Sequence, residues 1–503
     1  VDGPARGLAG PAPQPLELPV TITWTDWQAA AVPLVLALGA IGVIVVDCFW
    51  SSGNRQFKHT TISLITAGVI VFGLAYIAVQ RNSFRPGFCR TAVEGPAECS
   101  LVLEPLTIGL WAVLLIGGLG VVGLSAYRLL DSDIPVGEYH FLLLSALSGA
   151  TVLAGARDLA TMVIALEVVS LPSFAMVALR RDRRGSEAAL KAFLVSVLST
   201  SVMLFGISYL YGVTGSLYLQ TIDTRLEGID PDLRRVAFAA GLFVIVGFGF
   251  KIAAVPFHGW LPDTYAGAPV EVTAFLAVVS KSAGVAGLLV LVTFGLAPSG
   301  SHLRVVVAIL AAVTMTVGNL AALRQQEAVR LLAWSSIGQV GFLLAPLAVG
   351  DARAVVGYLA AYAVVTLGAF GAVAVVQRHR PGGLMLTDYR GMVRSEPGLG
   401  IALVFFLVVL AGLPPGLAGL FTKFAAFQSV INADLIWLAV VMAINVMIGL
   451  AVYLRWVAEL FRLPAEDPFS VDIETPAVAV ISTCVGAAVV LSILPGALFA
   501  LAT

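Results

Sequence analysis

Charge is what this 503-residue chain has least of: Asp, Glu, Lys and Arg make up 12% of it against 59% hydrophobic residues, and the mean hydropathy is +0.96. Charge this dilute excludes a soluble enzyme built around one core and fits a polytopic membrane protein. A formal net charge of −1 excludes a basic face for nucleic acid or another polyanion. Lysine is scarcer still, five residues against 24 arginines. There are four cysteines and no CxxC pair or HExxH, so neither an iron–sulfur cluster nor a zinc site is indicated, and no metal or cofactor is expected in this chain. The stretch Gly3 to Pro19 is rich in Pro and Gly and lacks an apolar core; it reads as part of an extramembrane arm over 1–24 and not as a signal peptide.

One motif misleads. Gly118, Gly120 and Gly123 match G-x-G-x-x-G, yet they sit inside the apolar run Leu110 to Leu124, without the strand and open water a dinucleotide site needs. They read as small residues that let membrane helices approach closely.

What the chain has in abundance is apolar length. Runs able to span a bilayer fall near 27–48, 61–80, 105–126, 139–156, 159–179, 188–211 and 236–258, then near 269–296, 303–323, 329–349, 351–376, 398–430, 432–461 and 475–500. The expectation is an all-α polytopic membrane protein of about 14 transmembrane helices. An even number places both termini on one side. With that side outside the cytoplasm, inner segments hold 15 basic residues and outer ones ten, and the Arg180–Arg184 cluster and Arg378–Arg394 loop both point inward. Cys89 and Cys99 then share an outer loop, where disulfides persist, as a candidate bridge or two free thiols. Cys48 and Cys484 read as small apolar residues.

Lys191, Lys251, Lys281 and Lys423 all fall inside these apolar segments; only Lys58 lies in a polar loop. A lysine at the centre of a bilayer helix costs roughly 2.5–3.5 kcal/mol. Arginine stays protonated at any accessible pH, whereas a desolvated lysine can be tuned to release its proton, so a row of intramembrane lysines suggests a proton path. Glu167 lies about 12 Å into the fifth helix at 1.5 Å per residue, as a functional carboxylate or half of a structural pair. Lys251 stands five residues before Pro256, and Lys423 follows the break Gly412-Leu413-Pro414-Pro415-Gly416. Broken membrane helices line cavities or bind ions. Lys281 lies about a dozen residues into the eighth helix. Lys191 is weaker, because it can snorkel to the interface or pair with Glu187 at i,i+4. His258, Trp260, Asp263 and Tyr265 are expected to cap the inner mouth, since one His and one Asp do not make a metal site. Glu271 and Glu459 are ionisable at a depth the sequence leaves open.

Longer blocks surround these residues: Glu167 with Ser170-Leu171-Pro172; Glu187 to Phe193; Lys251 through Pro256-Phe257-His258-Gly259-Trp260-Leu261-Pro262-Asp263-Thr264-Tyr265 to Pro269; Asn319 to Gln325; Arg330 to Gly338; and Gly412-Leu413-Pro414-Pro415 with Lys423. With them the chain resembles the antiporter-like proton-pumping membrane subunits of respiratory complex I, among them the N type, counterpart of mitochondrial NADH dehydrogenase subunit 2. The Asp263-x-Tyr265-x-Gly267-Ala268-Pro269 block is N-like, and Lys423 stands where M-type subunits resemble one another in having a glutamate. No residues follow helix 14 for the lateral helix of L-type subunits. Gln339 departs from a histidine in many relatives, and Glu104 from a commoner aspartate.

The resemblance implies two inverted five-helix repeats, helices 4–8 (136–300) and 9–13 (301–463), with helices 7 and 12 broken; helices 1–3 (25–135) precede them and helix 14 (464–503) follows. It implies a proton relay of Glu167, Lys191, Lys251, Lys281 and Lys423, supported by His258 and Tyr265. NADH, FMN, iron–sulfur clusters and quinone would belong to partner subunits. The expected neighbours are other membrane and peripheral subunits of the complex, M-type and K-type included, and the lipids of a bacterial cell (inner) membrane, with both termini outside the cytoplasm. The alternative is a subunit of a multi-subunit Na⁺/H⁺ antiporter; a third reading is a passive scaffold whose charges merely pair.

Overall fold

A chain in a bilayer must pair its backbone N–H and C=O groups within itself, so apolar runs of this length become helices. The computed structural model describes residues 22–50, 54–90, 98–129, 132–296, 300–379, 384–463 and 475–502. Helices 1 to 6 span Ala31–Phe49, Arg55–Val79, Pro105–Arg128, Val136–Gly155, Leu159–Ala178 and Arg183–Thr214. Helix 7 is Pro231–Lys251 with a continuation, Leu261–Gly267, and helix 8 is Val270–Phe294. Helices 9 to 11 span Gly300–Ala322, Ala328–Ala348 and Ala352–His379. Helix 12 comes in two pieces, Pro397–Ala411 and Leu417–Asn432; helices 13 and 14 are Ile436–Phe461 and Thr475–Ile493. Among the described residues, 13 helices are individually long and apolar enough to cross, and the two pieces of helix 12 supply the fourteenth crossing.

Several boundaries differ from expectation, each for a local reason. Helix 6 is longer at both ends, because Asp182 accepts the Gly185 N–H at its start and Gly215, at φ 64°, closes its end. Helix 7 stops at Lys251 and does not continue to 258, since Ala253 takes a positive φ of 57° and Pro256 has no N–H to donate. Of the arm over 1–24, residues 1–21 lie outside the described residues, and a short helix, Trp24–Ala29, starts at Thr23.

The bundle is helical as expected, and one two-stranded sheet accompanies it. Strands β1 (Arg85–Arg90) and β2 (Glu98–Leu103) form an antiparallel hairpin between helices 2 and 3, with Cys89 opposite Cys99 and disulfide-bonded to it. The hairpin separates helices 4 and 5, which look nearly continuous in sequence: Leu101 bridges to Ala156, and the Arg157 N–H donates to Ser100 O at 2.9 Å. Asp158 in turn bridges to Tyr218, next to a short helix at Leu219–Glu227. Glu98 accepts from Thr221 Oγ1 at 2.6 Å and pairs with Arg90 at 2.6 Å. Glu104, the departure noted above, pairs at 2.5 Å with Arg157, whose guanidinium lies 4.3 Å from the Phe294 ring centroid. This clasp marks one face of the membrane bundle, called here the hairpin face.

Helices 8, 10 and 11 are almost wholly enclosed by the others, whereas helices 1, 2 and 14 leave most of their surface open. The glycines of the false nucleotide motif do pack helices: a Cβ on Gly118 would come within 2.9 Å of Leu147, and one on Gly120 within 2.2 Å of Leu367. Asn319 of helix 9 donates to Asn445 Oδ1 of helix 13 at 3.1 Å, and Asn445 donates to Thr316 at 3.0 Å. The polar residues of the interior are therefore concentrated where lipid cannot reach.

Candidate functional site

At the break of helix 7 the freed backbone groups find new partners. Val255 N–H donates to Thr314 Oγ1 of helix 9 at 3.0 Å, and the Trp260 indole donates to Phe250 O at 3.1 Å. Lys251, the last residue before the break, is 3% exposed, and its ammonium donates to Ser170 Oγ of helix 5 at 2.9 Å. Glu167, three residues earlier on helix 5, accepts instead from Thr200 Oγ1 of helix 6 at 2.5 Å. The ammonium thus reaches helix 5 while the carboxylate of helix 5 turns to helix 6, and the two are not in contact.

Helix 8 passes close behind. A Cβ on Gly284 would meet Lys251 Cγ at 2.9 Å, so glycine there lets the two backbones approach. Helix 8 contains a π turn, Leu276–Ser280, directly before Lys281, which is 1% exposed. Lys281 Nζ donates to Ser336 Oγ of helix 10, and Ser336 bonds to Tyr362 OH of helix 11 at 2.6 Å. Beside this chain runs a second one. Ser335 bonds to Tyr453 OH at 2.6 Å; Gln339 Nε2 donates to Tyr453 OH at 2.8 Å and to Leu410 O at 3.3 Å; Tyr358 OH donates to Gln339 Oε1 at 2.5 Å.

Helix 12 ends its first piece at Ala411, where Gly412 adopts φ 84°. The last four carbonyls of a helix lack intrahelical partners. Here Gly412 N–H donates to Val408 O and Val409 O, while Lys423 Nζ, reaching back from the second piece, donates to Leu410 O at 2.7 Å and Ala411 O at 2.8 Å. An ammonium on the negative end of a helix is favourably placed. Lys423 is 6% exposed, with the Phe342 ring centroid 5.4 Å away.

Lys191 is placed differently from the three buried lysines. Its side chain is 48% exposed and pairs with Glu187 at 2.7 Å and Asp263 at 3.3 Å. Arg330 joins Asp263 at 2.8 Å and Glu327 at 3.3 Å. These charges line a vestibule of about 1580 Å³ on the face opposite the hairpin, with Arg180 and Arg184 on its rim. Of the two readings of Lys191, the structure shows the interfacial one: Glu187, at i,i+4, and Asp263 hold it at the mouth. Asp263 does sit at that mouth, but Tyr265 does not merely cap it. Tyr265 is buried, lines the inner wall of the vestibule, and its ring centroid is 5.9 Å from Lys281 Nζ. Trp260 is buried against Phe250 and Phe174, and half-buried His258 packs against Trp334. Glu271 is buried at the start of helix 8, while Glu459 pairs with Arg390 and Arg462. Among the described residues no group of three or more His, Cys, Asp or Glu could hold a metal ion. Sequence reasoning named Ser170 and Gln339 only within the blocks and departures above; it did not find the Ser336–Tyr362 and Gln339–Tyr358–Tyr453 chains, because only the packing of helices 10, 11 and 13 brings them together.

A family profile described as NADH:quinone oxidoreductase/Mrp antiporter, transmembrane, matches residues 156–449. NADH-quinone oxidoreductase subunit N 2 of Streptomyces griseus is 46% identical over 468 residues, which cover 90% of this chain and 86% of that protein. Subunit N of Salinispora tropica is 40% identical over 453 residues, covering 86% of this chain and 85% of that one. A chain of respiratory complex I from Thermus thermophilus, solved with bound aureothin, superposes with a TM-score of 0.78 at 30% identity, covering 93% of this chain and 98% of its own. A chain of the Mrp complex from Dietzia superposes with a TM-score of 0.81 but at 19% identity, covering 94% and 96%, a likeness of fold alone.

Proposed function

The chain belongs to the NADH:quinone oxidoreductase/Mrp antiporter membrane family, in its subunit N branch, and from that membership we propose that Glu167, Lys251, Lys281 and Lys423 are the stations of its proton relay, with Lys191, Asp263, His258 and Tyr265 at the inlet. It is a multi-pass, proton-translocating membrane subunit of an NADH-quinone oxidoreductase. The observation that carries the relay is the state of its lysines. Lys251, Lys281 and Lys423 are buried, yet their polar partners are hydroxyls and carbonyls, with no carboxylate in contact among the described residues.

Glu167 and Lys251 act as a pair of variable distance. At an effective dielectric near 20, closing from about 8 to 4 Å strengthens their attraction by roughly 2 kcal/mol. The closed pair holds the proton on Lys251; opening it, with Glu167 on Thr200 and Lys251 on Ser170 as here, frees the proton for Lys281. On this reading the vestibule faces the cytoplasm of a bacterial inner membrane, the termini lie outside, and the two five-helix blocks 4–8 and 9–13 are the working units. The redox steps with NADH, FMN, iron–sulfur clusters and quinone take place in partner subunits, and M-type and K-type neighbours and lipid enclose this chain.

The test is proton uptake by the reconstituted complex driven by NADH and quinone. Glu167→Ala and Lys251→Ala are each expected to remove most of it, and parent-level pumping in both overturns the relay. A Na⁺/H⁺ exchanger would instead move protons on a sodium gradient with no NADH present, and no such movement is expected.

A further inference from the structure

Among the described residues, no unbroken chain of side-chain hydrogen bonds joins Lys281 to Lys423. The chain from Lys281 runs through Ser336 to Tyr362 and stops at a cavity of about 20 Å³, whose polar lining is Tyr358, Tyr362, Gln339, Thr422 and Lys423. A buried water needs about 10–15 Å³ and two to four polar partners, so the cavity has room for one water and not for a file of them. An ammonium has three N–H groups. Lys423 spends two on the carbonyls of Leu410 and Ala411, and it also borders the cavity.

Resting on the relay reading above, we propose that one water in this cavity closes the circuit between Tyr362 and Lys423, and that Gln339 is a positioning residue that shapes the receiving side without carrying the proton. The step balances as follows. Lys423 starts as a neutral amine, whose two N–H groups keep both carbonyl bonds while its lone pair faces the cavity. The water donates a proton to that lone pair, Tyr362 donates its hydroxyl proton to the water, Ser336 donates to Tyr362, and Lys281 donates to Ser336. One proton has left Lys281 and one has reached Lys423, with every oxygen neutral again. The Gln339 amide has no proton to exchange. It ties Tyr358, Tyr453 and the Leu410 carbonyl into one frame, and that carbonyl is one of the two on which Lys423 rests.

Ala361 is buried and lines the cavity, so Ala361→Val fills it without touching a polar group, while Ala361→Ser adds one oxygen and leaves room. In the assembled, reconstituted complex, pumping per electron should fall about tenfold in Ala361→Val, a barrier near 1.4 kcal/mol, and stay near parent level in Ala361→Ser. Gln339→Leu should lose pumping. Gln339→His, which restores a donor and an acceptor, should rescue it and add an inflection to the pH profile near about 6.5. Parent-level pumping in Ala361→Val overturns the one-water cell. If Ala361→Val does not assemble, the near-isosteric Thr422→Val decides, with a several-fold loss expected and an unchanged rate overturning the proposal. Lys281→Ala separates the two levels: if it stops pumping while the cavity variants do not, the cell is wrong and the relay stands; if it pumps normally, the relay itself is wrong.

Discussion

Helices 7 and 12 are both broken near a lysine, but they hold that lysine in opposite ways. Lys251 precedes its break and leans on a hydroxyl from another helix, Ser170, with a carboxylate one turn away that is bonded elsewhere. Lys423 follows its break and rests on backbone carbonyls at the end of its own helix's first piece. Side-chain partners can rotate and exchange; helix-end carbonyls are fixed dipoles. The first arrangement suits a charge whose surroundings must change, and the second a charge that must find the same surroundings each time. The difference also separates their structural duties. Ser170 can return its hydroxyl to Leu166 O, to which it already donates at 2.7 Å, whereas the Ala411 carbonyl has Lys423 as its partner.

The largest effect should come from the switching end. Lys251→Arg is expected to lose pumping about as fully as Lys251→Ala, because arginine retains charge but cannot release a proton. NADH-driven proton uptake by the reconstituted complex measures this, and wild-type pumping by the arginine variant would make Lys251 an electrostatic anchor. Next, Lys423→Ala should both stop pumping and lower stability by about 1–3 kcal/mol, the cost of a buried carbonyl left unpaired. Lys281→Ala should stop pumping with a smaller loss of stability, since Ser336 and Tyr362 keep each other as partners. Thermal melting of the two variants side by side reads the contrast, and equal melting points would erase it. Gly284→Val should press on the Lys251 stem and cut pumping several-fold while leaving Lys423 undisturbed; an unchanged rate would mean that helix 8 yields there.

The smallest effect concerns the clasp, which ties down the first block; the second block has a bridge of its own, Glu327 to Met385, but no disulfide-bonded hairpin beside it among the described residues. Burial alone would raise the Glu98 carboxyl, but the Thr221 hydroxyl and the Arg90 guanidinium hold it below its ordinary value of 4.5. The ionised form therefore adds stability that is present above about pH 4.5 and is lost as pH falls through the lower folded value. Protection from hydrogen exchange, corrected for the intrinsic rate at each pH, should fall on acidification more at 219–227 than at the turn 433–435. An equal fall would detach the clasp from Glu98.

The membrane spans were legible because an apolar run near 20 residues has few other fates. The helix breaks were legible because proline cannot supply an N–H at Pro256 or Pro414. The buried lysines stood out because each lies in a run where charge is expensive. The hairpin was not legible: Arg85–Arg90 contains Pro86 and Gly87, and its partner strand starts only at Glu98. Nor were Ser336, Tyr362, Tyr358 and Tyr453, ordinary polar residues whose meaning comes from convergence across helices 10, 11 and 13. Lys191 was legible only as an alternative between interior and interface. It lies in a long helix, but whether that helix end is sunk or open depends on Asp263, which sequence places 72 residues away.

The π turn in helix 8 carries a constraint of a different kind. Each residue of an α-helix advances the azimuth by about 100°, and a π turn accommodates one extra residue within an otherwise continuous helix. Leu276–Ser280 therefore acts as a phase shifter: the inlet half of helix 8 and the half that starts at Lys281 are held at an offset that a plain α-helix of the same sequence would not reproduce. Winding these residues as plain α-helix with none removed would leave every side chain of the site chemically intact and turn Lys281 away from Ser336 relative to Val270–Phe275. Along this stretch the chain is specified by its count of residues as strictly as by their kind.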